Sequence, residues 1–244
     1  ESSAMERTEV RIGTAGWKIP ASVRERFTGE GTHLQRYAAR FSCVEINSSF
    51  YRPHRPSTYA RWAASVPDDF RFALKVPKEI THKRRLIDVT EPLEQFLAES
   101  APLGEKRAVL LVQLPPSFAY DADVIAAFFT EFRARYDGLL VCEPRHATWF
   151  APDADAALRR FEVARVAADP ALIPQAAVPG GWDGFVYYRL HGSPRTYYSS
   201  YDDEKVREIG ERLRAASRSV WCIFDNTAMD AAAANALDLA ELVV

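Results

Sequence analysis

Short apolar runs alternate along this chain with longer amphipathic ones. Eight short runs are rich in β-branched or aromatic residues and read as strands: residues 10–14, 43–47, 70–75, 109–113, 139–143, 163–167, 185–191 and 220–225. Their starts are spaced by about 30 residues on average, the length of a strand, a helix and two turns. Helix signals fill most of the intervals. Thr32 is placed to cap a segment with Leu34, Tyr37, Ala38 and Phe41 on one face, and Ser57 a second carrying Tyr59, Trp62, Ala63 and Val66. Asp121 opens a stripe of Val124, Ile125, Phe128, Phe129 and Phe132, Asp202 opens another helix, and an alanine-rich one runs from Asp230 to about Val243. Pro170, Pro174, Pro179 and Gly180-Gly181 leave little room for a helix in the sixth interval.

Eight strand–helix units in this length predict an α/β fold, a single (β/α)8 TIM-type barrel over residues 10–244 with one irregular or missing helix between strands six and seven. An open doubly wound sheet is the alternative, but Gly13-Thr-Ala-Gly16 lacks the G-x-G-x-x-G spacing that its first turn normally carries. Residues 1–9 read as a disordered or vector-derived tail. Composition narrows the class. Hydrophobic residues at 48% suffice for a full core, and a net charge of −2 excludes a polybasic protein. Cys43, Cys142 and Cys222 each sit within an apolar run, as buried reduced thiols do, so a cytoplasmic location is expected. No run is apolar and long enough to span a bilayer, and no membrane partner is expected.

Polar residues gather at the carboxyl ends of the strands: Glu45 and Asn47, Lys75, Gln113, Glu143 and Arg145, Asp169, Arg189 and His191, Asp225 and Asn226. Residues two apart on a strand share a face, so these pairs can converge on one mouth, which is where barrel enzymes place their chemistry. Tyr51, Arg52, His82, His146 and Trp149 follow in the adjoining loops, mixing cations with flat rings, a combination suited to anionic ligands with a base or sugar face. Strand ends and loops together carry ten Lys or Arg against five acids, a local +5 inside a near-neutral chain.

Seven ordered motifs resemble the YecE-like proteins, catalogued as domain of unknown function 72. They are Gly13-Thr-Ala-Gly-Trp17, Val44-Glu-Ile-Asn-Ser-Ser-Phe-Tyr-Arg52, Phe72-Ala-Leu-Lys-Val-Pro-Lys-Glu-Ile-Thr-His82, Leu111-Val-Gln-Leu-Pro-Pro-Ser-Phe118, Glu143-Pro-Arg-His-Ala-Thr-Trp-Phe150, Tyr188-Arg-Leu-His-Gly192 and Phe224-Asp-Asn-Thr-Ala228. The resemblance implies a TIM-type barrel and supplies no reaction. Lys18-Ile-Pro20 and Asp230, which stands where glycine is usual, depart from the family pattern.

Four functions compete. The first is a hydrolase or lyase acting on a phosphorylated or nucleic-acid substrate. Lys75, Arg145 and Arg189 would neutralise charge, Glu45 or Glu143 would act as base, His191 would move the proton, and Asp225 would complete the site. Asn47, Tyr51, Arg52, His82, Gln113, Arg145, His146, Trp149, Asp169 and Asn226 would bind substrate. No cofactor is predicted; a divalent metal on the carboxylates and His191 is an option that no HxH or HExxH spacing supports. The second is glycoside chemistry by a Glu45/Glu143 pair with Trp17 and Trp149 as platforms, an idea that fails if each carboxylate is locked to an arginine. The third is Schiff-base chemistry at Lys75, which the adjacent Glu45 and Glu143 oppose, since they would keep its ammonium charged. The fourth is non-catalytic binding of nucleic acid or an anionic metabolite. Under the first or fourth, Arg189→Ala is expected to weaken anion binding more than removal of Lys83.

Overall fold

The computed structural model describes residues 8–243. All eight expected runs are strands. They form β1 (Val10–Thr14), β2 (Cys43–Ile46), β3 (Arg71–Lys75), β4 (Arg107–Gln113), β5 (Leu139–Glu143), β9 (Val186–Leu190) and β10 (Val220–Phe224), with the sixth run divided at Val166 into β6 (Val163–Arg165) and β7 (Ala167–Asp169). A two-residue β8 (Gly180–Gly181) is additional. One sheet has the order β1-β10-β9-β7 and the other β2-β3-β4-β5-β6-β8. Every pairing is parallel except β6 with β8. The chain is thus a mixed α/β fold built on parallel sheets. Its strands are buried along nearly their whole length, as expected where both faces are covered.

Helices α1 (His33–Ala38), α2 (Ser48–Tyr51), α3 (Pro56–Ala64), α4 (Thr90–Ser100), α5 (Ala122–Arg133), α6 (Pro152–Arg160), α7 (Asp203–Arg214) and α8 (Ala231–Val243) alternate with the strands. Thr32 caps α1 in a reciprocal box with Gln35, and Asp121 and Asp202 accept from the Val124 and Lys205 amides. Ser57 does not cap α3. The helix starts two residues earlier than that cap would place it, at Pro56, whose fixed φ suits the first helical position, and Arg55 precedes it without a side-chain bond. Between β7 and β9 the proline-rich interval makes only a 3-10 turn over Pro174–Ala177.

Two joints relate the sheets. Val166 alone separates β6 from β7, and a parallel bridge joins Ala15 to Glu45 beyond β1. Gly13 permits that second approach, because a Cβ there would lie 2.4 Å from the Cys43 carbonyl oxygen. Cys43, Cys142 and Cys222 are buried and unpaired. Residues 1–7 of the expected tail lie outside the described residues. Glu9 extends the β1 edge, its carbonyl accepting from the Val220 amide at 2.8 Å and its carboxylate pairing with Arg11. Among the described residues no helix is long and apolar enough to cross a membrane.

Candidate functional site

The carboxyl ends of five strands deliver polar side chains, most of them charged, to one buried point. Arg189 on β9 is fully buried and directs five N–H donors at five acceptors. Nε and Nη2 grip Glu45 on β2 bidentately at 3.0 and 2.9 Å. Nη1 reaches Gln113 on β4 at 2.9 Å and Glu143 on β5 at 3.2 Å, and Nη2 reaches Asp225, just after β10, at 3.4 Å. Tyr187, on the same strand face as Arg189, donates its hydroxyl to Glu45 at 2.8 Å. His191, the next residue on that face, sets Nδ1 3.0 Å from Asp225 and Nε2 3.1 Å from Glu143. Arg145 closes the set from outside with Nε and Nη2 at 2.9 and 2.8 Å from Glu143 Oε2.

Electrostatics follows from this wiring. Burial would raise the Glu143 carboxyl, but His191, Arg189 and Arg145 hold it well below the usual range. Asp225 is lowered against the same burial by the His191 hydrogen bond and Arg189. Burial would lower His191, yet its two carboxylate partners raise it, which favours the charged imidazolium. Glu45, Glu143 and Asp225 are then matched one for one by Arg145, Arg189 and charged His191.

Lys75 is the surplus charge. It stands at the end of β3, only 7% exposed, and its Nζ makes no ion pair or hydrogen bond among the described residues. The Phe50 ring lies beneath it, 4.0 Å from Nζ to centroid. Burial and then Arg189 push its pKa down to about 8, against the weaker pull of Glu45, Asp225 and Glu143. Above it opens a cavity of about 730 Å³, whose wall includes Trp17, Asn47, Ser48, Gln113, Tyr197 and Asp225. That volume suits a small molecule. The Asn47 side-chain oxygen is buried without a partner among the described residues.

The structure brings together most of the expected cluster and disperses the rest. Lys75, Asp225, Gln113, Asn47 and Tyr51 line the cavity; Glu45, Glu143, Arg145, Arg189 and His191 form the network. Arg52 lines a second cleft of about 260 Å³ on the far side of Tyr51. His82 packs edge-on against Phe50 and bonds Thr81. His146 is half-buried and bonds Thr148, opening a 3-10 turn. Asp169 accepts from the Tyr201 hydroxyl at 2.7 Å and lines a different, small cleft with Lys205 and Arg212. Asn226 is fully buried and ties Ser199 to Asn235 of α8.

Several expected roles fall to this geometry. Trp149 is no platform: it is fully buried, with its indole N–H on the Phe118 carbonyl at 2.8 Å. Glu45 and Glu143 are both locked to arginines, which removes the glycoside pair and leaves neither free as a general base. The same saturation opposes a metal, and among the described residues no three acids, histidines or cysteines are grouped to hold one. Arg189 keeps no donor for a ligand, so its removal would act through the network and not through anion contact. The objection to an uncharged Lys75 fails too, because its neighbouring carboxylates are already neutralised.

Tyr187 was missed, although its place two residues before Arg189 on the same strand face is a signal that could have found it. Ser48 and His54 went unnoticed. Ser48 opens α2 and His54 follows it, the Ser48 hydroxyl lies 2.7 Å from His54 Nε2, and no periodic pattern links residues six apart across a short helix. Burial and then Arg52 lower the His54 pKa, which favours a neutral imidazole as acceptor.

A family model described as "Protein of unknown function DUF72" matches residues 11–244. The UPF0759 protein YecE of Escherichia coli K12 is 34% identical over 109 residues, 45% of this chain and 39% of that protein. UPF0759 protein YunF of Bacillus subtilis 168 is 28% identical over 151 residues, 59% of this chain and 53% of its own. The matched segments thus span about two-fifths to one-half of the curated relatives' lengths. A crystal structure of a DUF72 family protein from Enterococcus faecalis V583 superposes with a TM-score of 0.78 at 23% identity, covering 96% of this chain and 95% of that one, and shares the fold.

Proposed function

This chain belongs to the DUF72 family, and we propose that it is an enzyme of the lyase or hydrolase type whose cavity takes a small, phosphate- or carboxylate-bearing substrate. The observation that carries this reading is Lys75, a buried cation left over from a charge-balanced network and facing a cavity of molecular size. An uncompensated buried charge is costly, so a site that keeps one has a use for it when an anion arrives. Asn47, on the same cavity wall, would offer its side chain to that ligand. The reading takes the two sheets as halves of one (β/α)8-type barrel, supported by the joints at Val166 and at Ala15–Glu45, with the cavity at its carboxyl end. A nucleic-acid substrate has weaker support, since Lys83 and Arg84 on the rim both pair with Glu79. Titration calorimetry with inorganic phosphate tests the proposal: binding by the native protein, lost in Lys75→Met, is expected. Binding that survives this substitution would overturn it.

A hydrolytic second reading has one observation in its favour, the Ser48–His54 pair with Ser48 on the cavity wall. His54 would take the hydroxyl proton as Ser48 attacks an ester. A fluorophosphonate probe should then label Ser48, and labelling that persists in Ser48→Ala would reject it.

A further inference from the structure

We infer that Lys75 is a covalent amine catalyst, forming an imine with aldehydes or ketones that carry a neighbouring carboxylate or phosphate. The inference rests on the anion-binding reading of the cavity and adds the bond that is made there.

An amine that attacks a carbonyl has to be free of competing partners, partly uncharged and open to a substrate. The six lysines of the chain differ sharply in this respect. Lys18, Lys83 and Lys205 pair with Asp230, Glu79 and Glu208, and Lys106 donates to the carbonyls of Ala63 and Val66. Lys78 lies over the Tyr51 ring in the second cleft. Lys75 alone combines burial, the absence of an acceptor among the described residues and a place on the large cavity. The network beneath it makes this possible. Arg189, Arg145 and His191 occupy the carboxylates that would otherwise hold Nζ as a paired ammonium. Among the described residues the Phe50 face is its only support, and a ring face can be left at lower cost than a carboxylate.

The step balances within the site. The neutral Nζ lone pair forms a bond to the carbonyl carbon while the C=O π pair moves to oxygen. One proton from nitrogen reaches that oxygen, giving a carbinolamine. The proton that the ammonium shed to become the free amine is then returned to this oxygen, which leaves as water while the nitrogen lone pair makes the C–N bond double. Asp225 can carry both protons, because its Oδ2 is held by Arg189 and His191 while the residue borders the same cavity. The protonated imine keeps the single positive charge of the lysine, which is why an anionic group beside the carbonyl is favoured both before and after addition. It also draws electrons from the adjacent carbon, the activation used to break or make a C–C or C–H bond there.

Borohydride trapping tests this on the native protein. Pyruvate supplies the carboxylate, dihydroxyacetone phosphate the phosphate, and dihydroxyacetone is the uncharged control. After reduction, peptide mapping should find the probe mass less one oxygen atom on Lys75 and on no other lysine. Either charged probe should label about tenfold faster than the control. Labelling should also slow by about tenfold per pH unit below pH 8, where the ammonium dominates. Lys75→Met should abolish it, and native-protein mapping gives the answer even if that variant folds poorly. No Lys75 adduct with any probe, or equal labelling across the lysines, would overturn the inference. Phosphate binding measured alongside separates the two claims. Binding without trapping removes the imine and leaves the anion site standing, while absence of both removes the site as well.

Discussion

At the scale of single residues, Lys75 and Arg189 carry opposite consequences. A buried ammonium with a depressed pKa is held in the folded state at a cost, so replacing it with an apolar chain of similar length should help folding. Lys75→Met is expected to raise unfolding free energy at pH 7 by roughly 1–3 kcal/mol while removing anion binding. Urea denaturation beside calorimetry checks both halves, and a destabilised variant would show that Lys75 has a structural partner after all. Arg189→Met should do the reverse. It strands Glu45 without a cation and strips Glu143 and Asp225 of one of theirs, and breaking a buried pair in this way costs about 3–5 kcal/mol. A loss under about 1 kcal/mol would mean that water or a rearranged Arg145 replaces it.

At the scale of elements, helix ends show how far local rules reach. Asp202 caps α7 through the Lys205 amide, whereas Ser57 lies inside α3. Asp202→Ala should therefore cost about 1 kcal/mol and Ser57→Ala less than about 0.5 kcal/mol in thermal or chemical unfolding. The strands were legible because β-branched runs bounded by turn residues carry their own signal, and so was the shortage of helix around Pro174. The convergence of Glu45, Glu143, Arg189 and His191 was legible as well, since strand alternation fixes which residues share a face. Their pairing was not. Which carboxylate meets which cation depends on sheet order and register, and a sequence pattern gives neither. Trp149 shows the same limit: a loop aromatic reads as a platform until tertiary packing buries it on Phe118. The Lys18–Asp230 contact at 2.8 Å is a further case. Both residues depart from the family pattern, and only the fold reveals that they touch, with Asp230 in the left-handed region at φ 59° where glycine is otherwise at ease.

At the scale of the whole molecule, the network predicts how stability varies with pH. Glu143 and Asp225 titrate below their ordinary values, so their contribution is present above about pH 4 and is lost as pH falls through the depressed values. His191 is raised, so its contribution is complete below about pH 6.5 and is lost as pH climbs through the folded value. Lys75 has the opposite slope. Between about 8 and 10.5 the unfolded chain holds a proton that the folded chain has released, and stability gains with rising pH. Urea midpoints across the range should fall steeply on the acid side, and Lys75→Met should delete the alkaline gain. A profile in which that variant and the native protein run parallel above pH 8 would refute the assignment. The Arg189 contacts have a kinetic meaning too. They join residues 144, 76 and 46 positions apart in sequence, so no local segment can form any of them early. Contacts completed after the rate-limiting step slow escape from the native state without hastening arrival. Arg189 would thus act as a latch on lifetime: its loss should accelerate unfolding in stopped-flow experiments and leave the refolding arm almost where it was.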